Sequence, residues 1–255
     1  MKRKKCRIKW KAGEGDITMK IVLDTHAHTI ASGHAYNSIR EMAQMAHEKG
    51  LEAISLTEHA VTLPGTCHEY YFLNFKVIPR NLYGVRLFMG VELNIMDENG
   101  TIDMPEDVLK TMDIAIASIH PPCYKGELTK EAVTSAYMSA MENPYIHIIG
   151  HPDDGRFPVD YEKFVKKAKE TNTLIEINNS SLRPGSFRPG AQENARTILK
   201  LCKKYQVMIS LGSDAHFDVD LANYEYALEL IKECDFPEEL VVNTSVNKLE
   251  KYLAN

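Results

Sequence analysis

The sequence predicts an α/β fold in which seven parallel strands form either a closed barrel or a doubly wound sheet. Seven short apolar segments alternate with helical patterns, and these segments are continuously apolar, as in strands covered on both faces. Residues that can bind metal follow nearly every segment. This distribution favours a barrel, because a barrel collects its chemistry from the carboxyl ends of many strands, whereas an open sheet concentrates it at one switch point.

The first predicted strand, residues 19–23, leads into the motif Asp24-Thr-His-Ala-His28. Residues two apart on a strand point the same way, so His26 and His28 are expected side by side. Two imidazoles on one rigid edge make half of a metal site, although two ordinary histidines near a turn would give the same motif. Asp24 lies in line behind them and is expected to orient a ligand imidazole.

The later elements follow in chain order. Apolar runs predict strands at 52–57, 85–91, 113–119, 146–150, 173–177 and 207–212. Periodicity and capping residues predict helices at 38–49, 129–141, 161–171 and 191–205, and near 219–233 and 244–253. The aromatic-rich segment 60–84 is predicted to be an active-site lid or insertion, and residues 97–100 to be a hairpin turn.

Charge is spread unevenly over the 255 residues. The net charge is -5, but residues 1–20 contain eight basic and two acidic residues, which leaves a net charge of -11 over 21–255. This acidic body argues against an extended nucleic-acid surface. Residues 1–18 are predicted to be a poorly ordered basic extension, without the apolar stretch of a secretory signal, ahead of a domain at 19–255.

Two further features concern the compartment. The five cysteines are odd in number and form no C-x-x-C pair, which fits reduced thiols rather than a disulfide framework. The sequence contains no run of about 18 apolar residues, so no transmembrane helix and no membrane partner are expected. These features predict a cytoplasmic protein.

Seven of the ten histidines fall at the predicted carboxyl ends of strands, together with two acidic residues. The nine candidate metal ligands are His26, His28, His34, His59, Glu92, His120, His151, Asp214 and His216. Such nitrogen and oxygen ligands suit zinc, our first expectation, and also manganese or iron. A catalytic zinc uses three protein ligands and a water, so nine ligands predict two or three divalent ions. Glu92 is the expected bridge, because each carboxylate oxygen can bind a different ion.

These motifs resemble those of the polymerase and histidinol phosphatase (PHP) superfamily. The resemblance rests on D-x-H-x-H at 24–28, His34, Glu58-His59, Gly90-Val-Glu92, Ser118-Ile-His120, Gly150-His-Pro152 and Ser213-Asp-Ala-His216. Segments 176–181 and 68–80 resemble its small stand-alone phosphatases, which have a trinuclear metal site. The match extends from about Met19 to the C-terminus. It implies a distorted seven-stranded (β/α), TIM-like barrel with the metal site at the C-terminal rim of its strands.

The resemblance also implies an activity, that of a metal-dependent phosphatase acting on a small phosphorylated metabolite. By position, one ion would take His26, His28, Glu92 and Asp214, a second Glu92, His120 and His151, and a third His34, His59 and His216. A hydroxide between two ions would attack phosphorus. Glu92, Asp214 and His216 would then be catalytic residues, with Asp24 behind them and Glu58 as a supporting residue.

Phosphate sites usually also recruit arginine. The candidates are Arg183 and Arg188 after the sixth predicted strand, Arg156 after His151, and His68 in the lid at 64–80. The aromatic residues of this lid could cover the substrate, pack over the barrel mouth or form a contact in a homo-oligomer.

Several alternatives stay open. Within the superfamily these are a histidinol-phosphate phosphatase and a 3′–5′ exonuclease, and the acidic body weakens the second. Amidohydrolases also begin with H-x-H on a barrel strand, but they often bridge their metals with a modified lysine where this chain has Glu92. A non-catalytic regulatory module would bind metal without hydrolysing any phosphoester.

Overall fold

The computed structural model describes residues 19–254, so the predicted basic extension lies outside the described residues. The strands are β1 (Leu23–Asp24), β2 (Ala53–His59), β3 (Asn81–Leu82), β4 (Val85–Asn94), β5 (Ile114–Ser118), β6 (Ile148–Ile149), β7 (Leu174–Asn178) and β8 (Ile209–Gly212). The α-helices are α1 (Ile39–Glu48), α2 (Glu69–Leu73), α3 (Glu106–Leu109), α4 (Lys130–Ala140), α5 (Tyr161–Thr171), α6 (Asn179–Leu182), α7 (Ala191–Tyr205), α8 (Glu225–Glu233) and α9 (Val246–Leu253).

Seven of these strands run parallel around a nearly closed barrel. They pair in the order β1-β2-β4-β5-β6-β7-β8, and β3 pairs antiparallel with β4 at the barrel's side. The connections between most of the barrel strands carry helices, as parallel pairing requires. The predicted distorted seven-stranded (β/α) barrel is confirmed.

The barrel closes between β8 and β1 without an extended ladder among the described residues. Ala27 and Ala215, just beyond the two strands, form an isolated parallel bridge. Below it, the fully buried Asn243 links the two backbones. Its Nδ2 donates to the carbonyl oxygens of Leu23 (3.1 Å) and Leu211 (2.8 Å), and its Oδ1 accepts from Leu211 N (2.7 Å). One asparagine thus replaces part of a strand pairing at this seam.

Two apolar layers explain why the strands are continuously apolar in sequence. Residues such as Leu56 and Val91 belong to the larger core cluster, which also contains the buried faces of the helices. Alternate residues such as Phe88 and Ile116 form a smaller cluster that Leu249 of α9 joins. Further along the strands, the same inward face carries polar residues. The barrel interior is therefore apolar at one end and polar at the other.

Local signals set most helix boundaries as predicted. Ser38 caps α1 in a capping box with Glu41, and Thr129 caps α4 by accepting from Ala132 N. These hydroxyls satisfy amide groups that have no partner inside the helix. The helix expected near residue 219 instead begins at Glu225, because Ala222 has a left-handed backbone with φ of 55°.

The segment 60–84 is an insertion that packs on the barrel. It contains α2, a 3-10 helix at Phe75–Val77 and β3. Phe72 and Phe75 are fully buried, whereas Tyr70 is exposed. Most of its apolar residues therefore contribute to the core. Within residues 19–254, no helix is both long and apolar enough to cross a bilayer.

Candidate metal centre

The polar end of the barrel holds a cluster of imidazoles and carboxylates. All nine predicted ligands lie in it, and they follow or end β1, β2, β4, β5, β6 and β8. Inward-facing positions of parallel strands converge at the carboxyl rim, which explains why residues from 26 to 216 meet there. The deepest members are fully buried, and His34 is exposed at the mouth.

Glu92 lies at the centre of this cluster. Its Oε2 is 2.8 Å from His59 Nδ1 and 3.3 Å from His26 Nε2. Its Oε1 is 2.9 Å from His151 Nε2 and 3.3 Å from His120 Nε2. Ligands from four other strands therefore surround one buried carboxylate, the arrangement expected of a residue that bridges ions.

Asp214 forms a second focus beside it. Its Oδ1 is 3.2 Å from His28 Nε2 and 3.7 Å from His26 Nε2, and the two imidazole nitrogens are 3.1 Å apart. At the mouth, His34 Nε2 and His216 Nε2 are 3.0 Å apart. The His216 ring is 4.5 Å from that of His28, so the mouth and the interior form one continuous cluster.

The donor set fits divalent metal ions. His59 Nδ1 and Glu92 Oε2 are close but do not have hydrogen-bond geometry, and each lacks a hydrogen-bond partner among the described residues. Buried polar atoms without partners are costly, and a cation would satisfy them. Three sets of ligand atoms lie within 4.8 Å of one another, namely His26/His28/Asp214, His59/Glu92/His120 and His28/His59/His216. The last set differs from the implied third group, because His28 takes the place of His34.

Nearby histidines keep the carboxylates of the cluster ionised, which is the form that binds metal. Burial favours the neutral acid, but His26, His120 and His59 hold the pKa of Glu92 well below its usual range. Burial and the nearby His59 and His216 lower the pKa of His28 well below its usual value, which leaves its imidazole neutral. Neutral imidazole and ionised carboxylate are the forms that bind metal.

His26 differs from His28. Burial acts against its charged form, but Glu176, Glu92 and Asp214 together raise the pKa of His26 well above the ordinary value. A proton there partly balances the buried negative charge, and metal binding would displace it.

Two predicted ligands have a strained backbone. His151 has φ of 27° and Asp214 has φ of 54°, in the left-handed region that side chains with a β-carbon seldom adopt. Such conformations cost on the order of 1–3 kcal/mol and cluster at functional sites. The fold holds both residues in this conformation at the carboxyl rim.

Outward-facing ring nitrogens contact supporting side chains. His28 Nδ1 is 3.1 Å from Ser32 Oγ, which donates to Glu58 Oε2 at 2.7 Å. His120 Nδ1 is 2.7 Å from Asn94 Oδ1. Glu58 thus supports the site through Ser32, which agrees with its expected supporting role.

The expected contact between Asp24 and a ligand imidazole is wrong. The Asp24 carboxylate accepts from the backbone N–H groups of Ser213 (3.1 Å), Ala222 (2.8 Å) and His26 (3.3 Å). It therefore fixes the chain after β8 against β1. Glu176 of β7 instead contacts the His26 ring, at 2.7 Å from Nδ1. A sequence signal for Glu176 existed, since it is an acidic residue inside the apolar run 173–177.

Of the four phosphate candidates, Arg188 is the one with a contact to a predicted ligand. It is buried, and its Nη1 lies 2.9 Å from Ser181 Oγ and 3.3 Å from Asp214 Oδ2. Arg183 is exposed and pairs with Asp220.

The other two candidates have local partners. Arg156 forms an ion pair with Asp154, and its guanidinium lies 5.3 Å from the Phe187 ring centroid. His68 caps α2 by accepting from Tyr70 N at 3.3 Å.

Comparison with known proteins agrees with this architecture. The sequence model of the PHP domain matches residues 24–235. A protein named "Probable phosphatase" from Thermoanaerobacter sp. is 48% identical over 235 residues, 92% of this chain and 95% of the relative. A relative of the same description from Clostridium novyi is 47% identical over the same shares.

Among solved structures, a histidinol phosphate phosphatase from Lactococcus lactis superposes with a TM-score of 0.60 at 20% identity, covering 84% of this chain and 94% of that one. That structure is a complex with zinc, L-histidinol and phosphate. At this identity the likeness concerns the fold. The extent of the domain match and the identity to full-length relatives establish that this chain belongs to the PHP domain family.

Proposed function

We propose that this protein is a metal-dependent phosphatase that hydrolyses phosphomonoesters of small metabolites. The observation that carries the proposal is that nine candidate nitrogen and oxygen ligands, with the buried Glu92 among them, meet at one end of the barrel. Relatives that share nearly half their residues with this chain are named "Probable phosphatase", and the Lactococcus lactis structure is a complex with zinc, L-histidinol and phosphate.

The proposed ligand groups are those that the family resemblance implies. His26, His28 and Asp214 would hold one ion and Glu92, His120 and His151 a second, with Glu92 also serving the first. His59, His216 and His34 would complete a third site towards the mouth. Bound divalent ions would supply an activated water and positive charge opposite the phosphoryl oxygens. Zinc suits this imidazole-rich set best, and manganese and iron accept it too.

The residues around the ions would orient the phosphate. Arg188 lies beside Asp214 with its guanidinium fixed by Ser181, so it can present a positive edge to a phosphoryl group near the ions. The ligands below the mouth are buried, and the body of the chain is acidic. Both features favour a small phosphomonoester over a polynucleotide.

The test begins with protein purified without chelator. We expect two or three divalent ions per chain by elemental analysis, and hydrolysis of members of a panel of phosphorylated metabolites but not of amides. His28→Ala and Asp214→Ala should each lower kcat/KM on the order of 10³-fold, because each removes a ligand of the same ion.

Asp113→Asn provides a matched control. Asp113 pairs with Arg80 just before β5, at the opposite end of the barrel from the cluster. The Asp113→Asn variant should keep the kcat/KM of wild type. Circular dichroism should show that all variants retain the fold. Wild-type rates in both ligand variants, or metal-loaded protein that hydrolyses no phosphoester, would refute the proposal.

A further inference from the structure

Strand β7 contributes none of the nine ligands, yet it carries two buried polar residues on the inward face. Glu176 and Asn178 lie two apart on this strand and both are fully buried. Burying a carboxylate in an apolar strand is unfavourable unless its oxygens are satisfied. The partners of Glu176 are two groups of the metal cluster and Asn178. Asn178 contacts Asp214 and also caps α6 by accepting from Ser181 N. Strand β7 therefore supports the cluster without supplying a ligand.

Both Glu176 oxygens have partners. Oε1 lies 2.7 Å from His26 Nδ1, and Oε2 accepts from His151 N at 2.7 Å and from Asn178 Nδ2 at 3.1 Å. A carboxylate can only accept, so the ring proton of a neutral His26 must be on Nδ1. The lone pair of Nε2 then points to Glu92 and Asp214.

We propose that Glu176 is the positioning residue of the metal centre. It fixes the tautomer and ring orientation of His26 and, through the backbone N–H of His151, the position of a second ligand. This inference rests on the proposed function insofar as His26 is taken to bind metal. It adds a residue that determines how tightly the ions are held.

His26 stands apart from the other ligand imidazoles in its outward partner. The outward nitrogens of His28 and His120 contact a hydroxyl and an amide oxygen, and that of His34 contacts the carbonyl oxygen of Ser32. Among the residues that the structure describes, His26 alone has a carboxylate within hydrogen-bond distance at this position. The Nδ1 of His216 lies 3.0 Å from the backbone carbonyl oxygen of Asp214 and 3.7 Å from its Oδ1. A carboxylate increases the basicity of the imidazole and strengthens its bond to a metal.

The local sequence of β8 leaves room for this contact. A β-carbon at Gly212 would lie 1.9 Å from Glu176 Oε1 and 2.8 Å from the β-carbon of His26. Only glycine therefore lets β8 pass beside the pair. The network continues from Asn178 Nδ2 to Asp214 Oδ2 at 3.2 Å, so the same strand also holds a third ligand.

The experiment compares metal retention by wild-type protein, Glu176→Gln and the control Asp113→Asn. A glutamine cannot accept on both sides, so it must lose either His26 or the pair formed by His151 N and Asn178. We expect Glu176→Gln to release zinc to a competing chelator at a roughly 10–100-fold lower chelator concentration than wild type. Asp113→Asn should retain zinc as tightly as wild type, since it loses an acidic residue at the other end of the barrel. Retention by Glu176→Gln within twofold of wild type would overturn the proposal.

A measurement on the unaltered protein covers the case in which Glu176→Gln does not fold. With ¹⁵N-histidine labelling of the zinc-loaded chain, His26 should show a proton on Nδ1 and none on Nε2. A proton on Nε2 would contradict the assignment. Both readouts concern metal and tautomer, so they stay informative if the chain hydrolyses no phosphoester. That result would refute the proposed function and leave the role of Glu176 standing.

Discussion

At the scale of single residues, protons and metal ions would compete for the same atoms of the cluster. Glu92 and Asp214 have pKa values well below the usual range despite burial, because His26 faces both of them. A divalent ion supplies more positive charge than a protonated imidazole and bonds the same nitrogen. Metal loading should therefore release protons, as deprotonated ligands require.

Arg188 is the residue with which we test phosphate binding. Arg188→Ala removes a buried guanidinium beside Asp214, and kcat/KM for a phosphomonoester should fall roughly 10–100-fold, mainly through a higher KM. Steady-state kinetics on metal-saturated protein measure this. Arg196→Ala is the matched control, because Arg196 of α7 pairs with Glu193 of the same helix and with Glu233 of α8, away from the cluster. This variant should stay within twofold of wild type. An unchanged KM in Arg188→Ala would show that Arg188 has a structural role only and does not bind the phosphate.

His147 lies outside the metal cluster, and its titration should make the free energy of unfolding depend on pH. Burial lowers its pKa from 6.5 to about 4, and its Nδ1 accepts from Ala115 N at 3.0 Å. The unfolded chain takes up a proton near pH 6.5, whereas the folded chain does so only near pH 4. The contribution of His147 to the free energy of unfolding is therefore fully present above pH 6.5. About 3 kcal/mol of it is lost as the pH falls from 6.5 to 4.

His147→Asn keeps an acceptor near the Nδ1 position and removes the titration. Urea unfolding of both metal-free proteins at several pH values measures the effect, since other titrating groups are common to the two chains. The free energy of unfolding of wild type should fall more steeply than that of the variant over this range. Parallel pH profiles would contradict the shifted pKa of His147.

The sequence predicted which candidate ligands meet at the rim better than it predicted the residues that contact them from outside. His26, His28 and Glu92 could be found because strand periodicity and the position after an apolar run together imply the same rim. Asp24 was misassigned because its position along β1 says nothing of the backbone groups that β8 brings to it. Glu176 becomes a neighbour of His26 only when the barrel brings β7 to β8 and β1, which no local pattern encodes.

At the scale of elements, the sequence predicted the barrel strands. The pairing between the strands explains the features of the sheet that the sequence did not predict. Each apolar run became a strand, but β1 and β6 are only two residues long, so these two strands pair with their neighbours only briefly. Gly90 shows how closely β4 approaches β5, since a β-carbon at this position would lie 2.3 Å from the carbonyl oxygen of Ile114 on β5. The antiparallel β3 was missed because it is two residues long inside an insertion.

Asn243 should be the most sensitive polar residue of the seam between β8 and β1. Asn243→Ala removes three hydrogen bonds and leaves the buried Leu211 N without its partner. The carbonyl oxygens of Leu23 and Leu211 each keep one bond, from Tyr224 and Thr25 respectively. We expect a loss of about 3 kcal/mol in the free energy of unfolding. Urea unfolding of metal-free protein measures it. Thr244→Ala, which loses one bond to the carbonyl oxygen of Val241, is the control and should cost about 1 kcal/mol or less. Equal losses in the two variants would show that Asn243 does not close the seam.

At the scale of the whole molecule, the cluster joins strands that are far apart in the chain. Its nine residues come from six of the seven barrel strands or the loops directly after them, and Asp214 and His28 meet across the seam where backbone pairing is sparse. Ions held there would connect the two ends of the sheet. With ions bound, the same residues would serve both the proposed chemistry and the closure of the barrel.

Removal of metal should consequently destabilise the entire barrel. An ion that binds only the folded chain at about 1,000 times its Kd adds about 4 kcal/mol, because the unfolded chain does not present the ligands together. For a domain of this size, that corresponds to a fall in Tm of roughly 10 °C when a chelator removes the ions. Thermal unfolding of zinc-loaded and chelator-treated protein measures the shift. Asp214→Ala should show a smaller shift, since it lacks a ligand at the seam, whereas Asp113→Asn should show the full one. If chelator left the Tm of the wild type unchanged, the ions could not be cross-linking the two ends of the sheet.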